Sequence, residues 1–101
     1  MPKLSDEDGW VMKKVRNLVN PTLAEIDFLR SEIDIGLTFA KIALDAHRHD
    51  TRNRNRLNAR KAYDAVLRFM PRVNLSPEES SEMKIRVEHL KAELDRLGEE
   101  V

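Results

Sequence analysis

The sequence predicts an all-α domain, and three observations carry that prediction. Apolar residues recur at steps of three and four along most of the chain. Strict alternation never persists and β-branched residues are sparse, so no segment reads as a strand. Asn20-Pro21, Pro71, Ser76-Pro77 and Gly98 then cut the chain into helical lengths. With 101 residues there is room for one core, so residues 1–101 are expected to form a single domain.

The first helix is expected over about residues 6–19. Ser5, Asp6, Glu7 and Asp8 supply oxygens and negative charge where a helix start has unpaired N–H groups. Val11, Val15 and Leu18 repeat at helical spacing, with Met12 and Val19 beside them and Trp10 packing at the stripe's end. Asn20-Pro21 is a boundary: proline disfavours the α conformation before it but suits the first helical position after a cap.

A second helix is expected over residues 21–49, on the order of 42 Å long at 1.5 Å per residue. Ile26, Ile33, Leu37, Ala40 and Leu44 make one apolar line, while Phe28, Leu29, Ile35, Phe39, Ile42 and Ala43 cover much of the remaining surface. A helix apolar on several sides is a central one, covered by more than one neighbour. Gly36 in its middle costs about 1 kcal/mol relative to alanine, which predicts a neighbour packed close to that backbone.

Cap-type residues cluster at Asp50-Thr51-Arg52-Asn53, which predicts a turn there and a third helix over residues 53–70. Ala59, Tyr63, Val66 and Met70 form its stripe and Pro71 its end. The fourth helix, residues 77–97, has a cap serine at Ser76, proline at the first position and Glu79 three residues after the cap. Met83, Val87, Leu90, Leu94 and Leu97 make a narrow seam, and Gly98 follows as the stop. The expected architecture is a bundle of about four helices around a long antiparallel hairpin of the second and third.

That hairpin resembles a tetratricopeptide-repeat unit. Ile35-Gly36-Leu37-Thr38-Phe39 is similar to the family's Leu-Gly-x-x-aromatic half, and Ala59-Arg60-Lys61-Ala62-Tyr63 with Val66 and Pro71 to its second half. Gly36 and Ala59 lie 23 positions apart, further than in the repeat, so the hairpin is longer; the helical hairpins of microtubule-interacting-and-trafficking domains are as good a relative. The resemblance covers residues 33–71 and implies protein–protein interaction without catalysis. The family's Lys and Asn clamp for peptide ends is not carried over, because Ile33 and Leu37 stand in those places.

Composition excludes several function classes. The absence of cysteine removes disulfides, thiolate metal sites and cysteine nucleophiles. The three glycines are isolated, so there is no phosphate-cradling loop. No carboxylate precedes His47, His49 or His89 by three residues, so the Glu-x-x-His pairs of bundle di-metal sites are missing. His47 and His49 point apart on a helix; Asp45 and His49 could share a face, but two ligands make no site. No cofactor, metal or enzymatic activity is expected. No apolar run reaches the length of a membrane span, and the first residues lack a signal peptide's apolar stretch, so a cytoplasmic protein is expected.

Charge is the informative feature. Lys+Arg and Asp+Glu both number 18, for zero net charge. From Arg48 to Arg72, however, eight bases face two acids, a net of +6, and from Ser76 onward eight acids face four bases, a net of −4. Arg48, Arg52, Arg54, Arg56 and Arg60 are the candidate partner-binding residues, a basic hairpin tip docking an acidic protein. Two other uses are open: pairing of this segment with the acidic last helix, and nucleic-acid contact, which the lack of interleaved aromatics and the acidic flanks disfavour. A homodimer is the alternative source of cover for the apolar second helix.

Overall fold

Three α-helices account for most of residues 21–101, the part of the chain that the structure, a computed structural model, describes. They are α1 (Pro21–Asp45), α2 (His49–Phe69) and α3 (Pro77–Arg96); a short 3-10 turn, Met70–Arg72, follows α2. Helix makes up 85% of the described residues, with no strand among them. The helix expected at residues 6–19 lies outside the described residues.

The α1–α2 connection comes earlier than the sequence predicts. α1 stops at Asp45, and α2 begins at His49 instead of Asn53, so the turn is Ala46-His47-Arg48. Arg48 is the cap residue in extended conformation, at φ −93 and ψ 138, without a side-chain cap bond. Asp50 does that work from within the first turn, where its Oδ1 accepts the Thr51 backbone N–H at 2.9 Å. The cluster read as a loop is therefore the start of a helix. Residues with short polar side chains satisfy the unpaired N–H groups from inside the first turn as well as from the cap, and acid there opposes the helix dipole.

At the other end of α2, Pro71 cannot continue the helix, and the chain closes a tight turn in which the Val73 N–H bonds the Met70 carbonyl at 3.2 Å. α3 opens as expected: the Glu79 N–H donates to Ser76 Oγ at 3.1 Å, and the Ser76 N–H to Glu79 Oε1 at 2.9 Å. Its end is a Schellman turn, with the Gly98 N–H on the Asp95 carbonyl and the Glu99 N–H on the Leu94 carbonyl, both at 3.0 Å. Gly98 takes φ +88, a conformation glycine adopts at no steric cost.

α1 is the central helix. It packs along α2 as a hairpin, and α3 lies across it, touching α1 more than α2. Leu29, Ile33, Ala40 and Ala43 of α1, Ala59 and Val66 of α2, and Met83, Leu90 and Leu94 of α3 are fully buried. The buried line on α1 is turned toward Leu29 and Ala43 from the one expected, leaving Leu37 and Leu44 only partly covered. Gly36 sits where all three helices meet. A Cβ placed there would lie 2.8 Å from Leu90 Cδ2 and 3.2 Å from Ala62 Cβ, so the missing side chain sets the distance between the helices.

Candidate functional site

Helical periodicity puts Arg52, Arg56 and Arg60 on one ridge of α2, because residues four apart are neighbours on a helix face. Arg48 stands just before that ridge at the cap, and Arg54 lies off it and is exposed. The five candidate arginines are thus divided by the fold into an engaged pair and an outer group.

The engaged pair is Arg56 and Arg60, and their occupant is Glu99. Nη1 of Arg56 donates to Glu99 Oε2, and Nη1 of Arg60 donates to Glu99 Oε1 at 3.2 Å. The same Arg60 nitrogen also reaches the Glu100 carbonyl at 2.9 Å, so it holds side chain and backbone of the last residues together. Each arginine is braced from its own helix: Arg56 by Asn53 Oδ1 at 3.3 Å, Arg60 by Asp64 Oδ1 at 3.0 Å. Asp64, ahead of Glu99, holds the Arg60 guanidinium above its ordinary pKa by accepting its hydrogen bond. The Glu99 side chain is only 13% exposed, more covered than either arginine.

Why Glu99 arrives there follows from Gly98. The left-handed turn reverses the chain at the end of α3 and directs the next residues back across α2. Val101 packs against the core beside them. The clamp was half legible in the sequence, since basic α2 against acidic α3 was one of the open uses. What was missed is that the acid comes from beyond the helix, and the signal for it was Gly98-Glu99-Glu100.

The outer group is more open. Arg48 forks Asp50 with two hydrogen bonds of 3.2 Å, both residues largely exposed. That fork, more than the Thr51 N–H, pulls the Asp50 carboxyl below the usual range. Neither Arg52 nor Arg54 has an ion-pair partner among the described residues.

The histidines do not converge. The turn at residues 46–48 separates Asp45 from His49, which contacts Asn53 at 3.2 Å, and His89 lies 3.5 Å from Glu93 on α3. No three His, Asp or Glu residues gather into a metal-binding cluster among the described residues. Two open depressions flank the hairpin. One of about 380 Å³ between the end of α1 and α3 is rimmed by Lys41, Asp45, His89, Glu93 and Arg96. The other is apolar and lies at the opposite end, between Phe28 and Phe69. No described helix is long and apolar enough to cross a membrane.

No family model, no curated protein and no solved structure matches this chain.

Proposed function

We propose that the protein is a small, cytoplasmic, non-catalytic interaction domain that docks an acidic protein segment on the basic start of α2. The observation that carries this reading is the Glu99 carboxylate seated between Arg56 and Arg60. Paired guanidinium forks match carboxylates in geometry, and charge-assisted bonds of this kind are about twice as strong as neutral ones. The ridge therefore already binds an acidic chain segment; Arg52 extends the same chemistry along it, and Arg54 adds exposed positive charge on the neighbouring face. Carboxylate as the bound group favours an acidic protein over a phosphate backbone. So does the lack of aromatic side chains among the arginines for base stacking. The tetratricopeptide-like packing belongs to the same proposal: Gly36 against Ala62 is the close helix approach that such hairpins use.

The test uses a fluorescein-labelled peptide of alternating Glu and Asp, followed by anisotropy. Arg52→Glu with Arg54→Glu leaves the Glu99 clamp in place, and a loss of affinity of about tenfold or more is expected. Equal binding by the wild type and the doubly reversed protein overturns the docking surface. Binding of a single-stranded oligonucleotide that falls steeply with salt, with no binding of the peptide, assigns the ridge to phosphates instead.

A further inference from the structure

On the hairpin, an apolar row of α1 and a basic row of α2 run side by side. Phe28, Ile35 and Ile42 stand seven residues apart along one edge of α1 and are 43%, 44% and 43% exposed. Single exposed apolar residues are ordinary, whereas large ones in line mark a surface that binds something. Arg54, Lys61 and Arg68, also seven apart, share an edge of α2 turned away from Arg56 and Arg60. Two contacts set these edges next to one another. The Arg68 guanidinium lies over the Phe69 ring at 5.9 Å, and that ring meets Phe28 edge to face with 5.5 Å between centres. Phe28 on Phe69 and Gly36 beside Ala62 fix the hairpin's register. Phe28 is thus level with Arg68, Ile35 with Lys61 and Ile42 with Arg54, to within about half a helical turn. At the Pro21 end the furrow deepens into a groove of about 520 Å³ lined by Ala24, Phe28, Phe69 and Val73.

The three bases are exposed and have no ion-pair partner among the described residues. Glu25 and Glu32 are the acids on the α1 side of the furrow, and Arg72 adds a further base across from Glu25. Asp50, at the far end, is already taken up by Arg48. The face is therefore basic along one side and apolar along the other.

We propose that it docks an acidic amphipathic helix of a partner protein, with apolar residues on Phe28, Ile35 and Ile42 and carboxylates on Arg54, Lys61 and Arg68. Charge complementarity selects an acidic partner, and spacing selects a helix. Two helical turns advance about 10.5 Å, the interval of both rows, whereas an extended chain repeats on one face every roughly 6.7 Å. A third helix laid along two packed ones meets them heptad against heptad. A second copy fits poorly, because face-to-face pairing about a two-fold sets each basic row on the other copy's basic row or its apolar row. The docking needs neither Glu99 nor Arg52, so it goes beyond the ridge and stands without it.

The probe is a fluorescein-labelled designed helix with Leu at the two seam positions of each heptad and Glu on the flanks. Its control has the same composition with Leu and Glu alternating. By anisotropy with the full chain, the heptad peptide should bind about tenfold tighter than the control or better. Ile35→Asp, and separately Lys61→Glu with Arg68→Glu, should each weaken it about tenfold with helical circular dichroism retained, and Arg52→Glu should leave it within about twofold. Loss confined to the Ile35 and Lys61–Arg68 variants upholds the docking face even if the ridge binds no acidic peptide. Loss in Arg52→Glu alone puts the peptide on the ridge and overturns the face. Equal binding of the two peptides, or no binding of the heptad peptide, overturns it too. So does binding of phosphatidylserine vesicles in place of the peptide, or a dimer mass that Ile35→Asp halves, which would make lipid or a second copy the occupant.

Discussion

Arg30 of α1 and Glu82 of α3 hold one another by two parallel hydrogen bonds across 52 positions of sequence, Nε to Oε2 at 3.1 Å and Nη2 to Oε1 at 3.0 Å. Glu82 also accepts Arg86 at 3.4 Å, and Arg86 reaches back to Asp34 of α1. Two arginines and two acids thus tie the first half of α3 to the middle of α1, beside the apolar seam. Capping fixes where α3 begins, and this network fixes which way it lies.

Glu82 consequently titrates low. The Arg30 hydrogen bonds are the main cause and act against desolvation, with the Arg30 charge and Arg86 adding to the depression. A carboxylate with a lowered folded pKa contributes stability that is complete above its unfolded value, about 4.5, and is lost as pH falls through the folded one. Carboxyl NMR titration should show Glu82 protonating below the usual glutamate range, and Arg30→Gln should move it back up. Stability should fall as pH drops below about 4.5, less steeply in Arg30→Gln. A Glu82 titration indifferent to Arg30→Gln would refute the assignment.

Gly36 is the tightest point of the core. A single added methyl meets Leu90 and Ala62, and two further methyls have nowhere to go because Leu90 is fully buried. Gly36→Val should therefore cost about 3 kcal/mol, overpacking outweighing the fraction of a kcal/mol that valine gains over glycine in helix propensity. Urea unfolding is the measurement. Leu90→Ala alone should cost about 3 kcal/mol from the cavity it leaves, and the double variant should cost clearly less than the two added together.

The capping box of α3 gives a smaller effect. Ser76 has one N–H acceptor role, and its own N–H is satisfied by Glu79. Ser76→Ala should lower stability by about 1 kcal/mol, and Glu79→Ala by less, since Ser76 satisfies an N–H of the first turn whereas the Glu79 side chain satisfies only that of the cap residue. Ser76→Asp should retain most of the wild-type melting temperature.

Most local signals in this sequence translate into structure, and long-range ones do not. Ser76-Pro77 with Glu79, the Met83 to Leu97 seam, and Gly98 each act within one or two helical turns, so their meaning is independent of the rest of the fold. Gly36 foretold a close neighbour for the same reason, although nothing local said that the neighbour was Leu90. The turn between α1 and α2 was misplaced because Asp50 and Thr51 serve equally well before a helix and inside its first turn, and apolar spacing is silent there. The arginine ridge was visible as charge, yet its occupant was not. Glu99 is 39 positions from Arg60, and only the reversal at Gly98 brings the two together.

That reversal can be tested on its own. With φ at +88, any β-carbon at position 98 is strained, and nothing lies within 4 Å to clash with it, so the cost of Gly98→Ala is conformational alone. About 1 kcal/mol is expected, and the chain can relieve it by opening the Schellman turn and releasing Glu99. Glu99→Gln keeps the turn and removes only the charge. If the clamp is held by the two arginines, Arg60→Gln and Glu99→Gln should be coupled by about 1 kcal/mol at low salt, falling as ionic strength rises, because the arginines remain a third exposed to solvent. Gly98→Ala should weaken that same coupling while leaving Asp64 on Arg60. Thermal unfolding of the four-member cycle in the wild-type and Gly98→Ala backgrounds checks both statements. Strict additivity at low salt in the wild-type background would mean that Glu99 rests beside the ridge without being held by it.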